Sequence, residues 1–371
     1  MKITPPILLL LLVGCPSPPD DLDPVVCDEG YYLCGPDSQD CCMDSTSHEF
    51  TWVLDTIGSH GGDLRDAAII NENDIWIVGR IRVEEVDSSG ENTQLLWYNA
   101  VHWDGSEWSL HVAYDNTTLK NVFAFGPDDV WFVNGEDIIH FDGSTFKRLW
   151  HAGYGQFNQV ITIWGTSSEN VYFAGHDGTI IHYDGSGFTR DYSYLESNFS
   201  HITGSSNGAH VFVAGSSELG QSGDIILHSG SSLFAWEKIK YPLNSLLGFD
   251  PPDLHGLAVI GDILYIPKNL ELWKYNIVSK GSRLDSEIDH IEKKYNFVGG
   301  ESENDIVFGG SKFDYLHYNG SSYQYVDAIQ QDYKSIYMSG GDFKDGIAVM
   351  VGTFDTNVWP AKALVALGHR E

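Results

Sequence analysis

Residues 160–192, VITIWGTSSENVYFAGHDGTIIHYDGSGFTRDY, constrain what this chain can fold into more than any other stretch. They hold four runs of alternating β-branched and aromatic residues, at 160–165, 170–175, 178–183 and 187–192. Such runs, bounded by Gly, Asp, Asn and Ser, are strand and hairpin signals. The Asp184-Gly185 pair marks a tight hairpin, because the turn needs positive φ and glycine adopts it without strain. The stretch predicts a four-stranded antiparallel unit.

The chain repeats that unit. Residues 119–149 (LKNVFAFGPDDVWFVNGEDIIHFDGSTFKRL) carry it intact, and residues 66–110 carry it with an insertion between NENDIWIVG and NAVHWDGSEWSL. Residues 202–239 keep AHVFVAG and DIILHSGSSLFAWEKI, while residues 257–284 are worn down to GDILYIP and LELWKYN. Residues 295–326 restore SENDIVFGG and YLHYNGSSYQYV, and residues 333–367 close the series with KSIYMSGG, GIAVMVG and ALVAL. Second strands are expected to begin near Asp74, Asp129, Asn170, His210, Asp262, Asp305 and Gly346. Their spacing, roughly 45 residues, suits a four-stranded blade. A lone blade cannot bury both faces, so neighbours must lean on one another around an axis and close a ring. The expected fold is all-β, a single seven-bladed β-propeller over residues 51–371; six or eight blades also fit, because the fifth unit is so worn. Trp52-Val53-Leu54 precedes the first full unit, so an N-terminal strand is expected to complete the last blade. Helical periodicity is confined to a short piece near residues 286–294.

Phrases such as SENDIVFGG, DVWFVNG, IIHFDGS and IIHYDGS resemble the repeats of bacterial propeller lipoproteins in the kelch-like and galactose-oxidase-like group. The resemblance spans roughly residues 52–367 and implies the fold, with little to say about activity. It departs from kelch repeats, since Gly-Gly pairs occur only at scattered places such as Gly299-Gly300 and Gly309-Gly310. No Trp-Asp closes each unit, as WD repeats would require, and the sialidase Asp-box is matched only superficially. Propellers host many functions.

The front of the chain reads differently. Met1-Lys2 is a short positive start, and residues 7–13 (ILLLLLV) are too short to span a bilayer as a mature helix. Gly14-Cys15 after this run resembles a bacterial lipobox: residues 1–14 form a signal peptide and Cys15 is the acylated residue. An ordinary secretory signal that happens to hold a cysteine is the plainer alternative. More than one acyl chain would anchor the protein stably. Residues 15–26, rich in Pro and Asp, read as a stiff tether. Pro16, rather than Asp, follows the cysteine, which fits the outer membrane, on either its periplasmic face or the cell surface. Residues 27–50 hold Cys27, Cys34, Cys41 and Cys42. In an exported chain these four imply two disulfides; three pairings are formally possible. A bond within the adjacent pair would be strained, so Cys41 and Cys42 are expected to bond back to Cys27 and Cys34. A zinc site fits neither the spacing nor an oxidising compartment.

Net charge is −31, from 52 acidic and 21 basic residues. Nucleic acid and anionic headgroups are therefore poor partners, because both need a basic surface. No calcium-loop pattern, His-Glu-x-x-His or Gly-x-Ser-x-Gly elbow is present, and the seven arginines (65, 80, 82, 148, 190, 283 and 370) are scattered. No metal or other cofactor is expected. His102, His140, His182, His228 and His317 recur at one station per unit, too far apart around a ring to converge. They read as local packing or turn hydrogen bonds. Asp74, Asp129, Asn170 and Asp305 read as turn residues, and Trp76, Trp131, Tyr172 and Phe212 as packing between blades.

Departures from the repeat are more informative. The long excursions at residues 82–96, 216–223 and 241–253 follow second or fourth strands, so all three belong to one rim; the opposite rim carries terse Asp-Gly-Ser turns. The candidate binding rim comprises Arg82, Glu84, Glu85, Trp150, His151, Tyr154, Phe157, His176, Asp177, Tyr194 and Phe249. Aromatics beside polar groups there suit a glycan or peptide, unless they only pack beneath their own loops. The sequence thus predicts a monomeric, lipid-anchored, non-catalytic binding or scaffold module for an envelope protein or polysaccharide. The alternative is a glycan-active hydrolase or lyase, whose two carboxylates would come from different blades and meet in one rim pocket.

Overall fold

Alternating side chains need two faces to pack against, and the computed structural model supplies them as blades. It describes residues 31–33, 41–43, 45–59, 61–86, 93–153, 159–192, 197–217, 224–229, 236–239, 256–268, 271–284, 295–310, 312–327, 335–355 and 362–371. Among these there are strands and turns and no helix; the piece near 286–294 lies outside the described residues. The chain divides into two units, Met1–Asp44 and Ser45–Glu371. The first contains a small antiparallel pair, β1 (Tyr31–Leu33) and β2 (Cys41–Met43). Cys15, Cys27 and Cys34 lie outside the described residues.

The second unit is a seven-bladed β-propeller, each blade a four-stranded antiparallel sheet. Its first strand in sequence, β3 (Phe50–Ile57), belongs to the last blade. Blade 1 is β4 (Asp63–Asn71), β5 (Asp74–Val86), β6 (Thr93–Trp103) and β7 (Trp108–His111). Blade 2 is β8 (Asn121–Gly126), β9 (Asp129–Val133), β10 (Asp137–Phe141) and β11 (Phe146–His151). Blade 3 is β12 (Val160–Ser167), β13 (Asn170–Gly175), β14 (Thr179–Tyr183) and β15 (Phe188–Tyr192). Blade 4 is β16 (Ser197–Gly204), β17 (Val211–Ser217), β18 (Asp224–Ser229) and β19 (Trp236–Lys238). The worn unit is a full blade 5: β20 (Ala258–Ile260), β21 (Ile263–Lys268), β22 (Glu271–Asn276) and β23 (Gly281–Leu284). Blade 6 is β24 (Tyr295–Ser302), β25 (Asp305–Gly310), β26 (Asp314–Tyr318) and β27 (Tyr323–Asp327). Blade 7 is β28 (Ser335–Lys344), β29 (Ile347–Asp355), β30 (Lys362–Arg370) and, as its fourth strand, β3. Eight residue pairs, from Phe50↔Arg370 to Ile57↔Ala363, close the ring as expected.

The apolar core lies between blades. Trp131, Val133 and Ile138 of blade 2 pack against Val160, Ile163, Val171, Phe173 and Ile181 of blade 3. Burying each such side chain contributes about 1.5–3 kcal/mol. The repeated histidines do what their spacing implied. Nε2 of His102 and His140 lies 2.8 Å from Asp74 and Asp129, and that of His182 2.8 Å from Asn170. His317 reaches Asp305 at 3.0 Å. The imidazoles also lie on the neighbouring ring, 4.4 Å for Trp76–His102 and 4.2 Å for Tyr172–His182. In blade 5 buried Lys274 takes the station, 5.4 Å above Tyr265.

Two glycine positions carry the repeat. The innermost strand bulges beside its second-strand partner, for example between Val160 and Thr162 opposite Gly175. A methyl group at Gly175 would overlap the Gln159 carbonyl; Gly79, Gly215 and Gly352 face the same crowding. At the hairpin tips Gly105, Gly143 and Gly185 have φ of 91°, 82° and 83°. The aspartate before each tip glycine accepts hydrogen bonds from the turn. Ser106 and Ser186 foremost hold Asp104 and Asp184 down to about 2. Lys147 pulls Asp142 lower still.

Around the axis, side chains of innermost strands stitch each blade to the next. Asp66 accepts from the Val122 amide at 3.2 Å and from the Asn121 side chain. Asn121 accepts from Ile163 N at 2.8 Å, Thr203 from Val259 N at 3.3 Å, and Asp342 from Ile69 N at 2.8 Å.

Candidate binding face

Antiparallel order fixes the two rims. Turns after first and third strands share one rim, and connections after second and fourth strands share the other. Of the expected excursions, residues 82–86, 93–96 and 216–217 lie on the second rim, where β5 and β6 run on and β17 ends; residues 87–92, 218–223 and 241–253 lie outside the described residues. The chain enters from the opposite, turn-bearing rim, because β3 starts there as a fourth strand. Residues 45–49 lie over blade 6: Thr46 Oγ1 donates to Asn304 O at 2.9 Å, and Asn319 Nδ2 donates to Thr46 O at 3.2 Å. His48 Nδ1 lies 2.8 Å from His317 Nδ1.

On the insertion rim, Arg82, Glu84 and Glu85 stand on a ribbon in which β5 and β6 continue past their neighbours. The Arg82 guanidinium lies 4.2 Å over the Trp97 ring, with Arg80 at 6.0 Å. His151 closes a second group at the end of β11. Its Nδ1 is 2.7 Å from Oδ1 of the buried Asp137, which also accepts from Arg148 Nη1 at 3.3 Å. Asn134 Nδ2 donates to the other Asp137 oxygen at 3.0 Å and to Thr117 Oγ1 at 2.7 Å. Arg148 in turn lies 4.8 Å over Tyr114, which is 44% exposed at a φ of 76°. This arrangement sets a cation and an imidazole on one buried carboxylate, with a half-exposed ring beneath the cation.

Trp150, placed on the rim by sequence, packs instead against the core between blades 2 and 3. A bulge between Ile138 and Ile139 leaves Leu149 unpaired and reverses the alternation, so Leu149 is the exposed one at 40%. His176 and Asp177 form the turn between β13 and β14, tied to blade 4 by Asp177 N donating to Asn198 Oδ1 at 3.3 Å. Tyr154, Phe157, Tyr194 and Phe249 lie outside the described residues. The structure therefore joins His151 to Tyr114, Asn134, Asp137 and Arg148, none of which was singled out. Their one sequence signal is that Asn99, Asp137, Thr179 and Asp314 each stand three residues before a repeated histidine.

The central channel is a cavity of about 450 Å³ lined by the innermost strands. Its mouth on the insertion side, about 200 Å³, is lined among others by Arg65, Lys120, Asn121, His201 and Asn296, with Asp66 the single acid among the described residues. Asp66 keeps some contact with solvent, but its carboxyl is ringed by protein, and this burial, foremost, pushes it well up. Burial likewise raises Asp342. A raised carboxyl favours the protonated fold, so the associated stability is full below the unfolded value near about 4 and is lost as pH rises through the folded value. The contribution of these two carboxyls to the melting temperature is thus expected to climb as pH falls toward about 4. Asp66→Asn, which keeps an acceptor for Val122 N, is expected to make that climb shallower. Parallel wild-type and variant curves in a thermal melt series would refute the assignment.

Acids from different blades do line one cavity, but on the turn rim: Glu72, Glu301, Asp305, Asp345 and Glu371 surround about 560 Å³ together with Arg370. Asp305 is held by His317 and Arg370, and Glu301 accepts from Asp345 N at 3.0 Å. Among the described residues, no group of three or more His, Cys, Asp or Glu is placed to hold a metal ion.

No family model matches this chain, and no curated relative matches it. Solved structures do. YCF48 bound to D1 peptide superposes with a TM-score of 0.59 at 13% identity, covering 88% of this chain and all of that one. The fold is what they share. YCF48 from Cyanidioschyzon merolae gives 0.58 at 12% identity, covering 86% of this chain and 98% of that one. The extracellular domain of the putative one component system BT4673 from B. thetaiotaomicron gives 0.57 at 12%, covering 85% of this chain and 40% of that one.

Proposed function

We propose that this chain is a non-catalytic binding propeller of the bacterial envelope, held to the outer membrane by a lipid on Cys15, that presents its insertion rim to a protein partner. The observation carrying this reading is the opposition of the two rims. Residues 45–49 leave from the turn rim, so the part of the chain that carries Cys15 joins the propeller at the rim opposite the β5–β6 ribbon. A protein is favoured over a polysaccharide because the Arg148 guanidinium lies over the exposed ring of Tyr114, a pairing suited to peptide and carboxylate groups. It is also in keeping with the D1 peptide bound to YCF48 and the extracellular position of the BT4673 domain. The glycan-cleaving alternative has weaker support, since Asp305 and Glu301 in the acid-lined cavity are engaged by their neighbours.

Photo-crosslinking in intact cells tests the reading. A crosslinking residue at Tyr114 or His176 is expected to capture a discrete protein, while one at Ser106 or Ser186 on the turn rim captures none. Capture from the turn rim alone would refute it.

A further inference from the structure

We infer that the outer edge of β6, residues 93–98, is a docking strand for an extended acidic segment of a partner protein, which joins blade 1 as an added strand beside Trp97. This deepens the reading of the insertion rim as a protein-binding face and rests on it.

The two edges of the ribbon are treated differently. β4 pairs with β5 only as far as Asp63↔Arg80, and β7 pairs with β6 only from Ala100 to Trp103. The β5–β6 ladder runs on for six pairs, from Ile81↔Tyr98 to Val86↔Thr93. Along β5 the far edge is covered: Ser59 N donates to Arg82 O at 2.9 Å, and Glu84 N donates to Ser59 Oγ at 2.6 Å. Along β6 the cover stops at Asn99, whose side chain donates to Asp115 O and Thr117 O and accepts from Ala113 N. Beyond it, residues 93–98 have no strand on their outer side among the described residues. Natural sheets protect such edges with charge, proline or bulges. This edge reads Thr-Gln-Leu-Leu-Trp-Tyr and has no charge and no proline.

Side chains add the chemistry. Val83 and Tyr98 point from one face of the ribbon into the core between blades 7 and 1. The other face holds the cross-strand pairs Arg82↔Trp97, Glu84↔Leu95 and Val86↔Thr93. On it Leu95 is 37% and Val86 59% exposed. Arg80 and Arg82 both lie over Trp97, and Arg82 Nε is buried without a hydrogen-bond partner. In a chain of net charge −31, two guanidiniums gathered on one indole make a local site for a carboxylate. An added strand presents alternate side chains to the same face. It would place a carboxylate by Trp97 and an apolar side chain, two residues on, by Leu95. A polysaccharide has no donor–acceptor row at strand spacing, so the occupant is a polypeptide.

Fluorescence anisotropy with a panel of labelled heptapeptides that alternate Thr with Asp or Val tests this. Binding is expected, with a loss of about tenfold or more for Arg82→Gln at an unchanged melting temperature. N-methylation of one alternate set of peptide amides is expected to cost at least as much, and N-methylation of the other set little. No binding by any member, binding indifferent to N-methylation, or a concentration-dependent dimer of the protein through this edge would each overturn the inference. Crosslinks retained at Tyr114 would then leave the rim reading standing, whereas crosslinks confined to the turn rim would remove that reading whatever the peptides do.

Discussion

Removing residues 1–57 is expected to leave no folded monomer, whereas removing residues 1–44 is expected to leave the melting transition in place. The first cut deletes β3, which gives blade 7 its fourth strand through eight pairs with β30. Phe50, Trp52 and Leu54 also pack into the cluster that joins blades 6 and 7, and Ile57 packs into the one between blades 7 and 1. Without them β30 becomes a long apolar open edge, a template for aggregation. The second cut spares Ser45–Glu371, the unit that contains every blade. Near-ultraviolet circular dichroism, size-exclusion chromatography and thermal melts of the two truncations decide the matter. A 58–371 fragment that stays monomeric and melts with the full chain would show that the ring stands open without loss.

Trp131→Ala is expected to cost about 3–5 kcal/mol in urea unfolding, the range for truncating a large buried aromatic. Trp131 is 2% exposed and lies 5.7 Å from Phe173 and 5.2 Å from Tyr183, so it fills the gap between blades 2 and 3. Its Nε1 donates to Asp129 at 2.8 Å, the same oxygen that His140 contacts. Removing the ring therefore opens a cavity and loosens the histidine station together. Trp103→Ala serves as the control, since Trp103 sits half-exposed at a hairpin tip against Trp108 and should cost much less. Equal midpoints for the two variants would mean that packing between blades is not what holds the ring.

The ring was legible because each unit restates one pattern, so even worn blade 5 could be placed by its neighbours. The second strands at Asp74, Asp129, Asn170 and Asp305 begin where the sequence put them, and the other three begin one residue later. Trp150 misled because strand alternation holds only until a bulge, and nothing in FKRLWH announces the extra residue beside Ile139. His151 stood out as a departure from the repeat, but Tyr114, Asn134 and Asp137 did not. They meet only where the connection from blade 1 folds over blade 2, and sequence spacing does not encode that approach. The ribbon's length was legible as an insertion; its open edge was not, because an edge exists only once β7 is known to stop at His111.

β3 pairs with β30 across nearly the whole chain, Phe50 beside Arg370. A polypeptide emerging N-terminus first must therefore keep an apolar strand waiting until β30 arrives. Contacts that far apart slow folding, because the intervening loop must be ordered before any reward comes. Synthesis of β30 is thus written into the topology as the condition for closure, and a product that stops short of it carries two sticky ends that proteases can recognise.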